Sequence, residues 1–180
     1  MARPVNTDFF QLFRFHIVAL TDSLTEELAK NINTVPEYPD AGFMNVTMPE
    51  MSQGVAEIRD GITIFTKKQP GIPTLNDLTL SRGLTRRDIG LYKWMLTAIT
   101  GGQYRIDLAI YQFHRTDIVQ PADKRSPSRK IIIKDAFPMR FKPGGDLDAS
   151  SEDISIVELD IAYESFYIIT PDGSFGNDII

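Results

Sequence analysis

The residues best suited to proton chemistry in this chain are Glu158, Asp160, Glu164, Asp107 and the histidines His16 and His114. From Val157 the sequence alternates. Val157, Leu159, Ile161 and Tyr163 share one face of an extended segment, and Glu158, Asp160 and Glu164 share the other, interrupted by Ala162. Carboxylates spaced about 7 Å apart on one solvated strand face are too alike in environment to divide into a general acid and a general base. The histidines have no HExxH or comparable spacing, and a strand histidine is more often a surface or satisfied core residue than a ligand. We expect neither a metal nor a cofactor. A triad of His114, Asp107 and a serine can be drawn, since triads are assembled in space, but no GxSxG motif accompanies it. Pro143-Gly144-Gly145 lacks the Lys-Ser/Thr pair and following helix of a phosphate cradle and reads as a loop. The run Lys124 to Lys130, KRSPSRK, suits a phosphate-binding or localisation signal, but more readily a solvated loop.

These side chains need a scaffold, and 180 residues suffice for one domain, which at this size buries about 70% of the surface of its unfolded chain. With 42% hydrophobic and 24% charged residues the composition is that of an ordinary globular domain. The absence of cysteine excludes disulfides and thiolate metal sites. A formal charge of −5 opposes phosphate neutralisation by clustered Lys and Arg as a binding mode. Arg14 and His16 interrupt the apolar stretch Leu12 to Leu20, so no signal peptide is expected there, no segment approaches the length of a transmembrane helix, and no membrane insertion is expected.

Period two dominates. Phe13, Phe15 and Ile17 alternate with Arg14 and His16; Met44, Val46 and Met48 alternate with Asn45 and Thr47; Ile62 and Ile64 recur before Lys67 and Lys68. Further strands are expected over 77–82, 104–113, 128–134, 137–141 and 154–168, with turns at Asp60-Gly61, Pro70-Gly71, Gly101-Gly102, 142–148 and 171–173. One helix is predicted, with Thr85 as N-cap, Asp88 three residues on, and Gly101-Gly102 as its stop. At about 100° per residue its apolar side chains, Leu91, Trp94, Met95 and Ala98 among them, cover an arc of roughly 220°, wider than the stripe of about 100° that one core requires. Either the helix has a second partner, or it lies buried under its own loops. A weaker helix is predicted over Ser23 to Asn31.

Two stretches carry a resemblance. PGIPTLNDLTLSRGLTRRDIGLYKW, residues 70–94, holds Pro70-Gly71, a Leu78-x-Leu80-x-Arg82-Gly83 strand and Trp94 on a helix. DAFPMRFKPGGDLDASSEDISIVELDIAYESF, residues 135–166, holds Ala136-Phe137-Pro138, the small-residue loop Asp148 to Ser151 and the acidic-apolar strand from Glu158. In this order they resemble the inner tube proteins of contractile phage tails and phage-tail-like injection systems. The similarity spans roughly residues 43–166, with a weaker match at the first strand. Asp135 stands where Asn is usual, Ser81 where Lys is frequent, residues 21–42 look like an insertion and 167–180 like an extension of a single domain.

The resemblance implies a mainly β fold, an antiparallel β-sandwich or barrel with one flanking helix, assembled as hexameric rings that stack into a tube. It implies no enzymatic activity. Implied partners are the chain itself, a sheath protein, baseplate or spike and terminator proteins, and DNA or effector cargo passing without specific binding. The implied place is a virion tail or phage-tail-like particle made in the bacterial cytoplasm. Leu91, Trp94, Met95 and Ala98 would then face a neighbouring subunit, and Asp107, Glu158, Asp160 and Glu164 would line the lumen and repel phosphates. Two alternatives remain: a terminal or adaptor ring joining the tube to baseplate or spike, and a monomeric β-barrel enzyme or ligand-binding module using His114 and Asp107.

Overall fold

The computed structural model describes residues 9–20, 42–59, 61, 65–86, 89–115, 117, 127–145, 147–150, 152–170 and 173–175. The predicted strand at Ile62 to Ile64, the helix over Ser23 to Asn31 and nearly all of the 21–42 insertion lie outside the described residues.

The strands are β1 (Phe15–Leu20), β2 (Asn45–Val46), β3 (Met51–Ile58), β4 (Lys67–Leu75), β5 (Leu78–Gly83), β6 (Ile106–Gln112), β7 (Arg129–Lys142), β8 (Ile156–Ala162), β9 (Ser165–Thr170) and β10 (Gly173–Phe175), and the helix is α1 (Gly90–Thr100). Among the described residues all pairings are antiparallel. One sheet runs β1-β6-β7-β9-β10 and the other β7-β8-β5-β2, so β7 belongs to both. Its 14 residues span about 46 Å at the usual rise, far longer than a typical strand. The predicted break between 134 and 137 is therefore a corner within one strand.

The corner has a local cause. Asp135 takes a positive φ of 53°, and the β6–β7 register shifts between Ile106 and Leu108. Asp107 holds the irregularity: one carboxylate oxygen accepts from the Asp135 backbone N–H at 3.0 Å and the other from Lys134 Nζ at 2.5 Å. Asp and Asn tolerate the left-handed region better than other residues with a Cβ, so Asp in place of the usual Asn keeps the bend accessible. Asp135→Asn should leave the urea midpoint unchanged, whereas Asp135→Val should lower stability by about 1–2 kcal/mol, the cost of a left-handed conformation for an ordinary side chain.

The core follows the alternation. Ile17, Ile110, Ile131 and Ile168 lie side by side across one sheet, as do Leu80 and Leu159 across the other, and one apolar cluster joins them to Leu91 and Trp94 of α1. The helix stops as expected, with Gly101 at φ 77° and its N–H donating to the Thr97 carbonyl. Its start differs: Ile89 takes the N-cap position without a side-chain cap, and Asp88 lies outside the described residues.

Two other expectations are corrected. The stretch 154–168 forms two strands, β8 and β9, separated at Tyr163-Glu164, because the chain turns there to pair with β7 a second time. Residues 167–170, the start of the expected extension, continue β9 and pair in part with β7. Pro70-Gly71 lies within β4, where Gly71 passes so close to Gly54 of β3 that an added Cβ would meet its backbone at 2.9 Å. The β3–β4 pair forms a separate two-stranded ribbon, rooted by backbone and side-chain hydrogen bonds between Glu50 and Asn76 and exposed along nearly all of its length.

Candidate functional site

The acidic row has cationic neighbours on the adjoining strand. Glu158 and Asp160 do lie on the outer face of β8, opposite the buried Val157, Leu159 and Ile161. Arg140, reaching over from β7, places Nε 2.5 Å from Asp160 Oδ2 and Nη2 3.4 Å from Glu158 Oε2. Thr79 on β5 donates its hydroxyl to Asp160 Oδ1 at 2.9 Å, and Lys142 sits opposite Glu158 in the β7–β8 register. Hydrogen bonding to Asp160 raises the Arg140 pKa above its ordinary value.

The other two carboxylates are matched in the same way. Glu164, in the turn after β8, pairs with Arg105, whose guanidinium lies 5.4 Å over the Phe137 ring, and Asp107 pairs with Lys134. The Glu164 N–H donates to the Lys134 carbonyl at 3.2 Å, bringing both pairs to the junction of β6, β7 and β8. The surface is thus a band of adjacent opposite charges. Arg105, Lys134 and Arg140 are absent from the sequence reading, because cross-strand partners depend on a register that one strand does not reveal.

The predicted helix face divides. Leu91 and Trp94 are 1% and 0% exposed, and Trp94 Nε1 donates to the Tyr104 carbonyl at 2.6 Å. Both belong to the core rather than to an outer contact. Met95 and Ala98 are half-buried at its margin. The outward apolar stripe is formed instead by Tyr92, Leu96 and Ile99, with Ile99 68% exposed. The wide arc therefore has two sides, one closing the monomer and one exposed, with Tyr92 at 5.8 Å from the Phe141 ring.

His114 and Asp107 are not brought together. Asp107 sits near the start of β6 and His114 beyond its end, about 20 Å apart at the strand rise per residue. Asp107 is engaged at the β7 corner, and the His114 backbone N–H donates to Asp117, which also accepts from Ser128. His16 on β1 pairs in register with Tyr111 on β6. A cleft of about 360 Å³ beside the corner includes Gly102, Tyr104, Arg105, Asp107 and Asp135 in its lining. Its Arg105 and Asp107 are already in the ion pairs just described.

A profile of the T4-like virus tail tube protein gp19 family matches residues 12–167. The chain belongs to this tail tube family. No curated protein sequence matches it. Among solved structures, it is similar to a chain of the anti-feeding prophage baseplate (TM-score 0.68, 16% identity, covering 94% of this chain and 98% of that one). It is also similar to a chain of the sheath–tube complex of the extracellular contractile injection system PVC (0.67, 18%, 92% and 95%) and to the anti-feeding prophage tube terminating cap (0.67, 19%, 91% and 93%). At these identities the likeness shows the tail tube fold. The tail tube family match also gives meaning to the Leu78-x-Leu80-x-Arg82-Gly83 strand: Leu78 and Leu80 enter the core, and the buried Arg82 places its guanidinium 5.4 Å over the Phe43 ring.

Proposed function

We propose that copies of this tail tube protein close into hexameric rings whose stacks form the wall of a conduit for DNA or protein cargo. The observation that carries this reading is the exposed apolar stripe Tyr92, Leu96 and Ile99 on the same helix that closes the core. Apolar side chains on an exposed helix face favour association, and a heterologous contact repeated around an axis closes a ring. At the sheet edge, β1 pairs only with β6 among the described residues, and a neighbouring subunit would cover that edge.

In this reading the band of Glu158, Asp160, Arg140, Arg105, Glu164, Asp107 and Lys134 faces the lumen. Closely paired opposite charges produce a weak field beyond a Debye length of about 8–10 Å, so neither phosphates nor acidic or basic proteins are held at the wall. The conduit is then non-adhesive by charge balance. Sheath, baseplate or spike and terminator proteins are its partners in a virion tail or injection particle. The comparable likeness to a terminating cap supports, as a second reading, a single terminal ring.

Cryo-electron microscopy of native particles tests both readings. We expect this chain in a ring around the axial channel, with the β8 outer face toward the lumen and α1 at the subunit seam. Repetition along the tube identifies the wall subunit, and one ring per particle the terminal reading. A position outside any tube-like ring overturns both, and β8 carboxylates turned toward a sheath overturn the lumen assignment.

A further inference from the structure

The chain has six methionines and no cysteine, so its oxidisable sulfur is all thioether. Two of these residues, Met44 and Met48, flank β2, the last strand of the sheet ordered β7-β8-β5-β2. The backbone of that edge is held in place. The Met44 N–H donates to the Ser81 carbonyl at 2.9 Å and the Thr47 N–H to the Thr79 carbonyl at 3.0 Å, while Phe43 and Val46 pack against the core. The two methionine side chains stay outside, Met44 59% and Met48 37% exposed. β2 is two residues long and Pro49 follows Met48, and a short strand closed by proline is a poor template for another strand. A contact at this edge is therefore made by side chains. Unbranched thioethers suit it, because they adapt to an irregular apolar surface and lie well against aromatic rings.

Such a surface exists on the same chain. The helix α1 packs on β7, at the far side of that sheet, with Tyr92 beside the Phe141 ring, and presents Tyr92, Leu96 and Ile99. Three strand spacings, about 14 Å, separate β7 from β2. Both surfaces are nearly uncharged: residues 42–49 hold no charged side chain, and residues 89–102 hold only Lys93.

We propose that Met44 and Met48 of one copy cover the Tyr92, Leu96 and Ile99 stripe of the next copy in the ring, and that peroxide prevents this contact by oxidising both methionines before assembly. This rests on the ring reading above and adds to it the second surface of the seam and a redox control. The occupant is a second copy because the two surfaces match in apolar character and near-absence of charge and lie on opposite sides of one sheet. A contact between such unlike surfaces runs across the strands and closes on itself around an axis. In the oxidation a lone pair of Sγ attacks one peroxide oxygen, the O–O bond breaks, the oxygen stays on sulfur as a sulfoxide, and its proton joins the departing hydroxide as water. Sulfur is oxidised by two electrons and the peroxide is reduced by two. The new polar oxygen is brought against Leu96 and Ile99, and enclosing it there weakens the seam about tenfold per residue.

The test begins with hydrogen peroxide footprinting read by mass spectrometry. Met44 and Met48 should oxidise readily in the unassembled chain and about tenfold more slowly in the complete particle, and equal rates overturn the proposal. Met44→Gln with Met48→Gln, which sets a polar amide where the sulfoxide would stand, should leave the monomer folded by circular dichroism and the particles without rings by electron microscopy. Met44→Leu with Met48→Leu should form rings as wild type does, since the apolar surface is kept and the sulfur is gone. Normal rings from the Gln pair, or loss of rings in the Leu pair, overturn the role of the thioethers. Met48→Cys with Leu96→Cys, in a chain that otherwise has no cysteine, should link copies into a ladder on a non-reducing gel of oxidised particles. Protected methionines without that ladder assign the cover to a different protein and overturn the pairing. Absence of rings from wild-type particles overturns the ring reading itself and is seen before any variant is made.

Discussion

Trp94→Ala should remove much of the stability of the monomer. The indole is 0% exposed within the cluster that joins both sheets, so its removal leaves a cavity that costs about 3–5 kcal/mol. It also removes the N–H that meets the part-buried Tyr104 carbonyl at 2.6 Å, a loss of about another 1 kcal/mol. Against a typical total of about 5–15 kcal/mol, this brings a domain close to unfolding at ambient temperature. A urea or thermal melt of the purified chain reads the loss directly. Trp94→Phe separates the two contributions, since it retains most of the apolar volume and lacks the donor. A midpoint for Trp94→Ala within experimental scatter of wild type would show that α1 does not close the core.

The opposite result is expected one helical step away. Leu96→Lys with Ile99→Lys should leave the melting curve nearly unchanged, because exposed substitutions usually shift stability by about 0.5 kcal/mol or less and cations near a helix C-terminus interact favourably with its dipole. Assembly should fail. A charge enclosed without a partner costs about 3–5 kcal/mol, so each subunit contact weakens by roughly 10²- to 10⁴-fold, repeated around every ring. Electron microscopy of the variant particles, beside circular dichroism of the monomer, distinguishes the cases. Normal rings would mean that the stripe faces solvent or sheath and that the seam is elsewhere. Equal loss of fold and assembly would place Leu96 and Ile99 in the monomer core.

The contrast between Trp94 and Ile99 also marks how far one sequence reaches. Both are apolar and both fall within the wide helical arc, so periodicity identified that arc without dividing it into an inner and an outer side. The division follows from where the two sheets meet α1, which depends on residues distant in sequence such as Leu80 and Leu159. The ribbon was illegible for a related reason. Pro70 and Gly71 are ordinary turn signals, yet they lie inside a strand that has no core to face, with Gly71 in close approach to Gly54.

By itself the sequence determined the alternation that sends Val157, Leu159 and Ile161 inward and Glu158 and Asp160 outward, the helix with its glycine stop, and the ordered motifs by which the tail tube family is recognised. These are local properties: a side-chain period of two or 3.6 residues, a left-handed glycine, and residues close in sequence. Tertiary packing makes β7 one strand serving two sheets, stands Arg105, Lys134 and Arg140 beside the four carboxylates, and sets the β3–β4 ribbon and the β7–β8 loop at opposite ends of the β5–β8 pair. Cross-strand register and the bend at Asp135 set those positions, and both arise from hydrogen bonds between segments that no local pattern connects.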